Sequence, residues 1–172
     1  MATNTNTKKS TADSPQTKQK LVAKDVDTSQ LIPVYNGFQG RLIYKSSRTG
    51  EEFQWDEFGD VQEIELRELR NVKSAAKSFF ANNWFMFDDE YAWVIDYLGI
   101  NNFYKNAISL DNFDDLFTKT PAEIEKIISK LTVGQKKSVS YRARQLILEE
   151  QIDSNKAIAA LEKSLGEKLI ER

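Results

Sequence analysis

Residues 120–135, TPAEIEKIISKLTVGQ, contain two helix N-terminal signatures in succession. Thr120 and Thr132 are each followed three residues later by Glu or Gln, which is the capping-box pattern, and Pro121 occupies the first helical position. Between the two signatures, apolar residues recur at the spacing of one helix face, at Ile124, Ile127, Ile128 and Leu131. The stretch therefore predicts two consecutive helices joined by a very short turn.

The rest of the C-terminal third is also predicted to be helical. The second helix is expected over 134–148, with one apolar face made of Val139, Ala143, Leu146 and Ile147. Asp153 is in position to cap a third helix, and Gly166 is in position to end it. Residues 119–172 are therefore predicted to form a helical hairpin or a three-helix unit.

The middle of the chain, residues 31–118, is predicted to be a small α+β domain. Pro33 and the Asn36-Gly37 pair indicate a turn near its start. Residues 41–45 and 51–55 are two strand-like runs joined by a short loop that contains Gly, which predicts a β-hairpin.

A third strand is expected around Ile64 and Leu66, which gives a short antiparallel β-meander. Three strands are marginally stable alone, so helices must cover their apolar face. The covering helix is predicted from apolar residues at helical spacing, namely Leu66, Leu69, Val72, Ala76 and Phe80. A shorter helix should follow, capped by Asp88 or Asp89 and ended at Gly99.

Residues 1–30 are polar and contain only scattered apolar side chains, too few to offset the entropy of ordering the chain. We expect them to form a disordered N-terminal tail. The N-terminus has no apolar signal-peptide region, and no apolar run in the chain is long enough to span a bilayer. Neither a membrane partner nor secretion by a signal peptide is expected.

The sequence contains neither Cys nor His. This excludes thiolate and imidazole metal ligands, the Ser-His-Asp triad and the usual general base near neutral pH. Acidic clusters such as Asp56-Glu57 and Asp88-Asp89-Glu90 offer oxygen ligands for Mg²⁺, but helix caps and turns account for them better. We therefore expect a non-enzymatic binding protein that carries no cofactor and no metal.

Charge is distributed unevenly along the chain, although the net charge is only −2. Residues 31–118 carry eight basic and fifteen acidic side chains, whereas residues 119–172 carry eleven basic and eight acidic ones. A domain that binds nucleic acid over its whole surface is normally strongly basic. The pattern leaves room only for a local basic patch in the C-terminal part.

Aromatic residues are concentrated between Phe53 and Phe117. Many of them must belong to the core, but a surplus of aromatic side chains is typical of protein interfaces. The candidate protein interface is Trp84, Phe85 and Phe87. Burial of the same three residues, as a strand or an irregular apolar segment, is an equally weighted alternative.

The helix predicted over 134–148 carries the candidate nucleic-acid contact, formed by Lys136, Lys137, Tyr141 and Arg144. Positions 137, 140, 141 and 144 share a face, which suits contact with phosphate groups. Two closely spaced helices also resemble a helix-turn-helix motif, although capping boxes joined by a short turn are common in helical bundles. A solvated polar face or a protein contact is the competing interpretation.

Three short runs carry a resemblance to known proteins: RTGE at 48–51, WDEFGD at 55–60, and FF with NNWF within 79–85. Over residues 41–87 the chain resembles small proteins of tailed bacteriophages that infect low-GC Gram-positive bacteria. The resemblance implies a phage context, in which small non-enzymatic proteins commonly serve as virion, tail or assembly components. It implies no particular functional residues.

The leading hypothesis is a phage structural or assembly protein, located in the virion or the host cytoplasm. Its partners would be other virion or assembly proteins, or further copies of itself. The alternative hypothesis is a nucleic-acid-binding regulatory protein that uses the basic helix at 134–148.

Overall fold

A computed structural model describes residues 26–171. Most of the predicted N-terminal tail, residues 1–25, lies outside this range. The end of the predicted tail is ordered, because Val26 packs against the core and the carbonyls of Thr28 and Gln30 accept hydrogen bonds from the first residues of a helix. The expectation that order begins near Leu31 is therefore corrected to a point no later than Val26.

Within residues 26–171, five short strands form two antiparallel sheets. β1 is central in the larger sheet, whose order is β4-β1-β5, and β2 and β3 form a separate hairpin. The strands are β1 (Leu31–Asn36), β2 (Leu42–Lys45), β3 (Glu52–Trp55), β4 (Val61–Glu65) and β5 (Phe85–Met86). The α+β class is confirmed, whereas the predicted three-stranded meander is wrong, because β4 pairs with β1 rather than with the hairpin.

The sequence prediction missed β1 because Pro33 and Asn36-Gly37 indicated a turn. Pro33 is tolerated in this strand because β5 pairs only with Tyr35 and Asn36, so the proline has a neighbouring strand on one side alone. The predicted third strand ends at Glu65, one residue earlier than expected, since Leu66 already begins a helix.

Within residues 26–171, all the helices follow β4 in the chain, and two 3₁₀ turns lie among them. They are α1 (Leu66–Ala75), α2 (Ser78–Ala81), α3 (Trp93–Leu98), α4 (Asn101–Tyr104), α5 (Pro121–Ile128), α6 (Val133–Leu148) and α7 (Asn155–Leu165), with 3₁₀ turns at Asp89–Tyr91 and Asp114–Thr118. The single helix predicted through Phe80 is two helices, because α1 ends at Ala75. None of the helices within residues 26–171 is long and apolar enough to cross a bilayer.

The local helix signals are mostly confirmed. Thr120 forms a reciprocal capping box with Glu123, and the Thr132 hydroxyl accepts a hydrogen bond from the backbone of Gln135. Gly99 and Gly166 end their helices in the left-handed conformation that favours glycine. The cap of α7 is Ser154 rather than the predicted Asp153, because the Ser154 side chain accepts the hydrogen bond from the Ala157 amide.

The buried apolar side chains form two clusters. The first lies between Ile32 and Ile100 and joins the sheets to α1, α2 and α3. The second lies between Phe113 and Leu169 and joins α5, α6 and α7. Phe113 and Leu116 thus pack with the C-terminal helices, although they precede them in the chain.

A buried carboxylate ties the hairpin to α1. Glu68 Oε1 accepts hydrogen bonds from the Tyr44 hydroxyl at 2.7 Å and from the Asn71 amide at 3.1 Å, and Oε2 accepts one from Arg48 Nε at 3.0 Å. Burial favours the neutral acid, but hydrogen bonds from Tyr44, Ser46, Asn71 and Arg48 outweigh it and hold the pKa of Glu68 below its ordinary value. Burial and the contact with Glu68 raise the pKa of Tyr44 to about 12.

Glu68→Gln is expected to lower the free energy of unfolding by about 2 kcal/mol at pH 7, because it leaves buried donors without a charged acceptor. A lowered folded-state pKa stabilises the protein above the ordinary pKa of 4.5, and this stabilisation is lost as pH falls below it. Urea unfolding between pH 3 and pH 7 should therefore show a smaller acid-dependent loss for the variant than for the native chain. An equal loss in both proteins would contradict the role given to Glu68.

Candidate interaction surface

Helix α6 begins at a close contact with the α+β part of the chain. A side chain on Gly134 would collide with Asn82, so the two backbones approach as only glycine allows. Thr132 Oγ1 accepts a hydrogen bond from the Gln135 amide at 3.1 Å and donates one to Asn83 Oδ1 at 2.7 Å. The cap of α6 therefore also anchors the helix to the preceding unit.

Two sides of α6 are buried. Six residues beyond the cap, Ser138 Oγ donates a hydrogen bond to the carbonyl of Gly37 at 2.9 Å, across 101 positions of the sequence. The opposite side packs into the second cluster through Val139, Ala143 and Leu146. The helix is thus held in place from both sides, and only a narrow face points outward.

That outward face carries large apolar side chains. Val133, Tyr141 and Leu148 are 71%, 52% and 84% exposed. Lys137 and Arg144 lie between them, so the five residues follow each other at spacings of four, four, three and four, which is one face of an α-helix. We call Val133, Lys137, Tyr141, Arg144 and Leu148 the outer stripe.

The two cations of the outer stripe differ in their surroundings. Lys137 is exposed. Arg144 Nη2 donates to Glu167 Oε2 at 3.1 Å and to the carbonyl of Lys168 at 3.0 Å, which holds the guanidinium against the C-terminal end of the chain. One side of the Tyr141 ring meets Phe38 edge to face, at 6.3 Å between centroids. The stripe is therefore a partly ordered surface with both apolar and basic groups.

The predicted nucleic-acid contact is brought together only in part. Lys137, Tyr141 and Arg144 share the outer stripe, whereas Lys136 lies to one side of it and is half-buried. Ser140, which was expected on the same face, is buried. Val133 and Leu148 were not predicted to belong to the surface, although their spacing from Lys137 and Arg144 would have placed them there.

The predicted aromatic interface is corrected by the packing. Phe85 is fully buried and Phe87 nearly so, and both belong to the first cluster. Trp84 is half-buried and meets the rings of Phe38 and Phe79 at 6.1 Å and 5.7 Å between centroids. Phe85 and Phe87 are core, which was the alternative interpretation, because β5 (Phe85–Met86) completes the central sheet and its neighbours pack against the first cluster.

A cleft of about 570 Å³ opens beside the outer stripe, next to Phe58 and Phe113 of the second cluster. Glu57 and Asp111 contribute carboxylates to its wall, and Asp114 accepts two hydrogen bonds from Arg142, one of them from Nε at 2.9 Å. The hydrogen bonds with Asp114 raise the pKa of Arg142 above its ordinary value. Because Asp114 neutralises Arg142, the carboxylates of Glu57 and Asp111 leave the cleft acidic. Within residues 26–171, no three carboxylates are close enough together to hold a metal ion.

Comparison of the chain with models of protein families, with curated proteins and with solved structures finds no match.

Proposed function

We propose that this is a non-enzymatic structural or assembly protein of a tailed phage, acting through protein–protein contacts in the virion or during its assembly. The observation that carries the proposal is the outer stripe, in which Val133, Tyr141 and Leu148 are exposed on a helix held from two sides. A partner that covers this face would gain apolar burial without having to order the helix first.

The composition of the outer stripe suits a protein partner. Aromatic residues and Arg are enriched in protein interfaces, and here Tyr141 and Arg144 lie between two aliphatic side chains. Full burial of a Val or Leu side chain contributes about 1.5–3 kcal/mol, so the two ends of the stripe are worth more than its charges, which stay in contact with water.

The phage context is supported by the resemblance of residues 41–87 alone. On this basis we propose other virion or assembly proteins as partners, and the virion or the host cytoplasm as the location.

Replacing Val133 and Leu148 together with Gln is expected to reduce the protein recovered with phage particles at least tenfold. Both side chains are exposed and Gln is a good helix former, so folding should be unaffected. The measurement is the amount of tagged protein that sediments with particles and assembly intermediates from infected cells on a density gradient.

Ile43→Gln is the matched control, since Ile43 is also exposed but lies on β2, away from the outer stripe. The control should sediment like the native chain. If the native protein never sediments with particles, or if the stripe variant and the control behave alike, the proposed function is wrong.

A nucleic-acid-binding regulator is the second candidate, because Lys137, Tyr141 and Arg144 do share an exposed face. Against it, Arg144 is already paired with Glu167, and the stripe ends in apolar side chains on both sides. A DNA gel shift at low salt that is lost on Lys137→Glu, but not on Lys156→Glu on α7, would favour this candidate. We expect no shift with the native chain.

A further inference from the structure

The central sheet has an outward face that, like the outer stripe, carries exposed apolar side chains, but its charged groups are acidic rather than basic. Along β1, Leu31, Pro33 and Tyr35 point away from the core, because Ile32 and Val34 point into it. On β4 their partners are Glu65, Glu63 and Val61, in that order. We call these six residues the sheet face.

The sheet face has Leu31 and Val61 at opposite ends and the Pro33–Glu63 pair at its centre, and its carboxylates lie along β4. Leu31 and Val61 are 50% and 48% exposed. Glu63 is exposed, Glu65 is paired with Arg67, and the Tyr35 hydroxyl donates to Asp88 Oδ2 at 3.1 Å. The face therefore combines aliphatic and aromatic groups with carboxylates.

The sheet face is shorter than the outer stripe and can therefore cover only part of it. The outer stripe runs for about 22 Å along α6, at 1.5 Å per residue. The row from Leu31 to Tyr35 runs for about 13 Å, at 3.3 Å per residue, and the β4 row lies about 5 Å beside it. Along the helix, Tyr141 is about 12 Å from Val133 and about 10 Å from Leu148. A helix laid along the two strands would therefore place Tyr141 and one aliphatic end of the stripe over Leu31 and Val61, with the cation between them beside Glu63.

We infer that the outer stripe of one copy docks on the sheet face of a second copy, so that the protein assembles head to tail. The charge distribution supports a second copy as the occupant, because residues 31–118 are net acidic and residues 119–172 are net basic. The inference rests on the proposed function only in taking the outer stripe as a protein-binding surface.

Such an interface joins two different surfaces of the same chain. Each added copy leaves one stripe and one sheet face unoccupied, so the assembly continues until a ring closes or the chain of copies ends. A single helix on two strands buries a small area, so association is expected to be weak and the copies should separate on dilution. Small interfaces that repeat many times suit a structural component.

The test uses two variants of the full chain, each with one defective face. Lys137→Glu with Leu148→Glu disrupts the outer stripe, and Val61→Lys with Glu63→Lys disrupts the sheet face. Each variant alone should associate at least tenfold more weakly than the native chain in sedimentation-velocity runs. A one-to-one mixture should form a dimer and nothing larger, because only one intact stripe and one intact sheet face remain in each pair.

Three results would overturn the inference: a native chain that stays monomeric at every concentration, a mixture that stays monomeric, or a sheet-face variant that still dimerises alone. The last result would indicate a symmetric contact between two α6 helices. If the sheet-face variant fails to fold, the single pair Lys137→Glu and Glu63→Lys in one chain provides a second test. Each change alone should weaken association, and the pair should restore it.

The outcome is separable from that of the proposed function. A monomeric native chain that still sediments with phage particles would remove the head-to-tail contact and leave the binding role in place. A native chain that self-associates but does not sediment with phage particles would remove the proposed binding role and leave the head-to-tail contact in place.

Discussion

Gly134→Ala is expected to lower the free energy of unfolding by about 3 kcal/mol, the upper end of the usual range for an overpacked site. The added Cβ would lie 2.5 Å from Asn82 Cα and closer still to the Cβ and carbonyl oxygen of the same residue. These are backbone and near-backbone atoms, which cannot rotate away as the end of a long side chain would. The start of α6 would have to move away from the α+β part of the chain.

The direction of this effect is the informative part. In an exposed helix, replacing Gly with Ala stabilises a protein by about 1 kcal/mol, so helix propensity and the close contact predict opposite signs. Urea unfolding followed by circular dichroism measures the difference. Gly50→Ala is the control, because its Cβ would meet no atom within 4 Å and only its positive φ is unfavourable. A Gly134 variant as stable as the native chain would show that the contact is not tight.

Moving the start of α6 would also break polar contacts that join the two clusters. Asn83 has a positive φ of 54°, which is uncommon for a residue other than glycine. Its side chain accepts a hydrogen bond from Thr132 at 2.7 Å and donates one to the carbonyl of Phe103 at 2.9 Å. The strained turn is therefore maintained by the same contacts that seat the helix.

The helix boundaries could be predicted from the sequence because their causes are local. Thr120 and Thr132 bond to backbone atoms three residues away, and Gly99 and Gly166 end helices through their own backbone conformation. Where two neighbouring residues could both cap a helix, as at Asp153 and Ser154, the pattern did not decide between them.

The sheet order could not be predicted in the same way. β1 pairs with β4 some thirty positions later and with β5 about fifty positions later. Neither pairing affects the spacing of apolar residues within β1, so the β1 sequence does not indicate its partners. Pro33 also indicated that this segment is not a strand. The rule that excludes proline applies to strands paired on both sides, whereas Pro33 has a neighbouring strand on one side only. The sheet face was missed as a consequence.

The surface was predicted only where charge and helix spacing coincide. Lys137, Tyr141 and Arg144 were identified because basic residues on a helix are a recognised pattern. Val133 and Leu148 were not, since an apolar side chain at a helix end is usually core, and only the packing shows that these two side chains are exposed. Composition likewise showed an excess of aromatic residues without showing which of them are covered.

Phe85→Ala is expected to lower the free energy of unfolding by about 3–5 kcal/mol, the range for removing a buried aromatic ring. The ring lies among four others, those of Tyr44, Trp55, Phe79 and Phe80, at centroid distances of 5.9, 5.3, 4.9 and 5.8 Å. Its removal would leave a cavity shared by the hairpin, the central sheet and α2, which are rigid elements with little freedom to collapse. The measurement is again urea unfolding, with the midpoint and the slope fitted separately.

Leu148→Ala is the matched control for this variant, because it also truncates a large apolar side chain, but one that is 84% exposed. Surface substitutions usually change stability by about 0.5 kcal/mol or less, so the two variants should differ by several kcal/mol. They should differ in the opposite order in sedimentation, since Leu148 belongs to the outer stripe and Phe85 does not. A loss of stability below about 1 kcal/mol for Phe85→Ala would instead indicate that Phe85 is exposed and belongs to an aromatic interface.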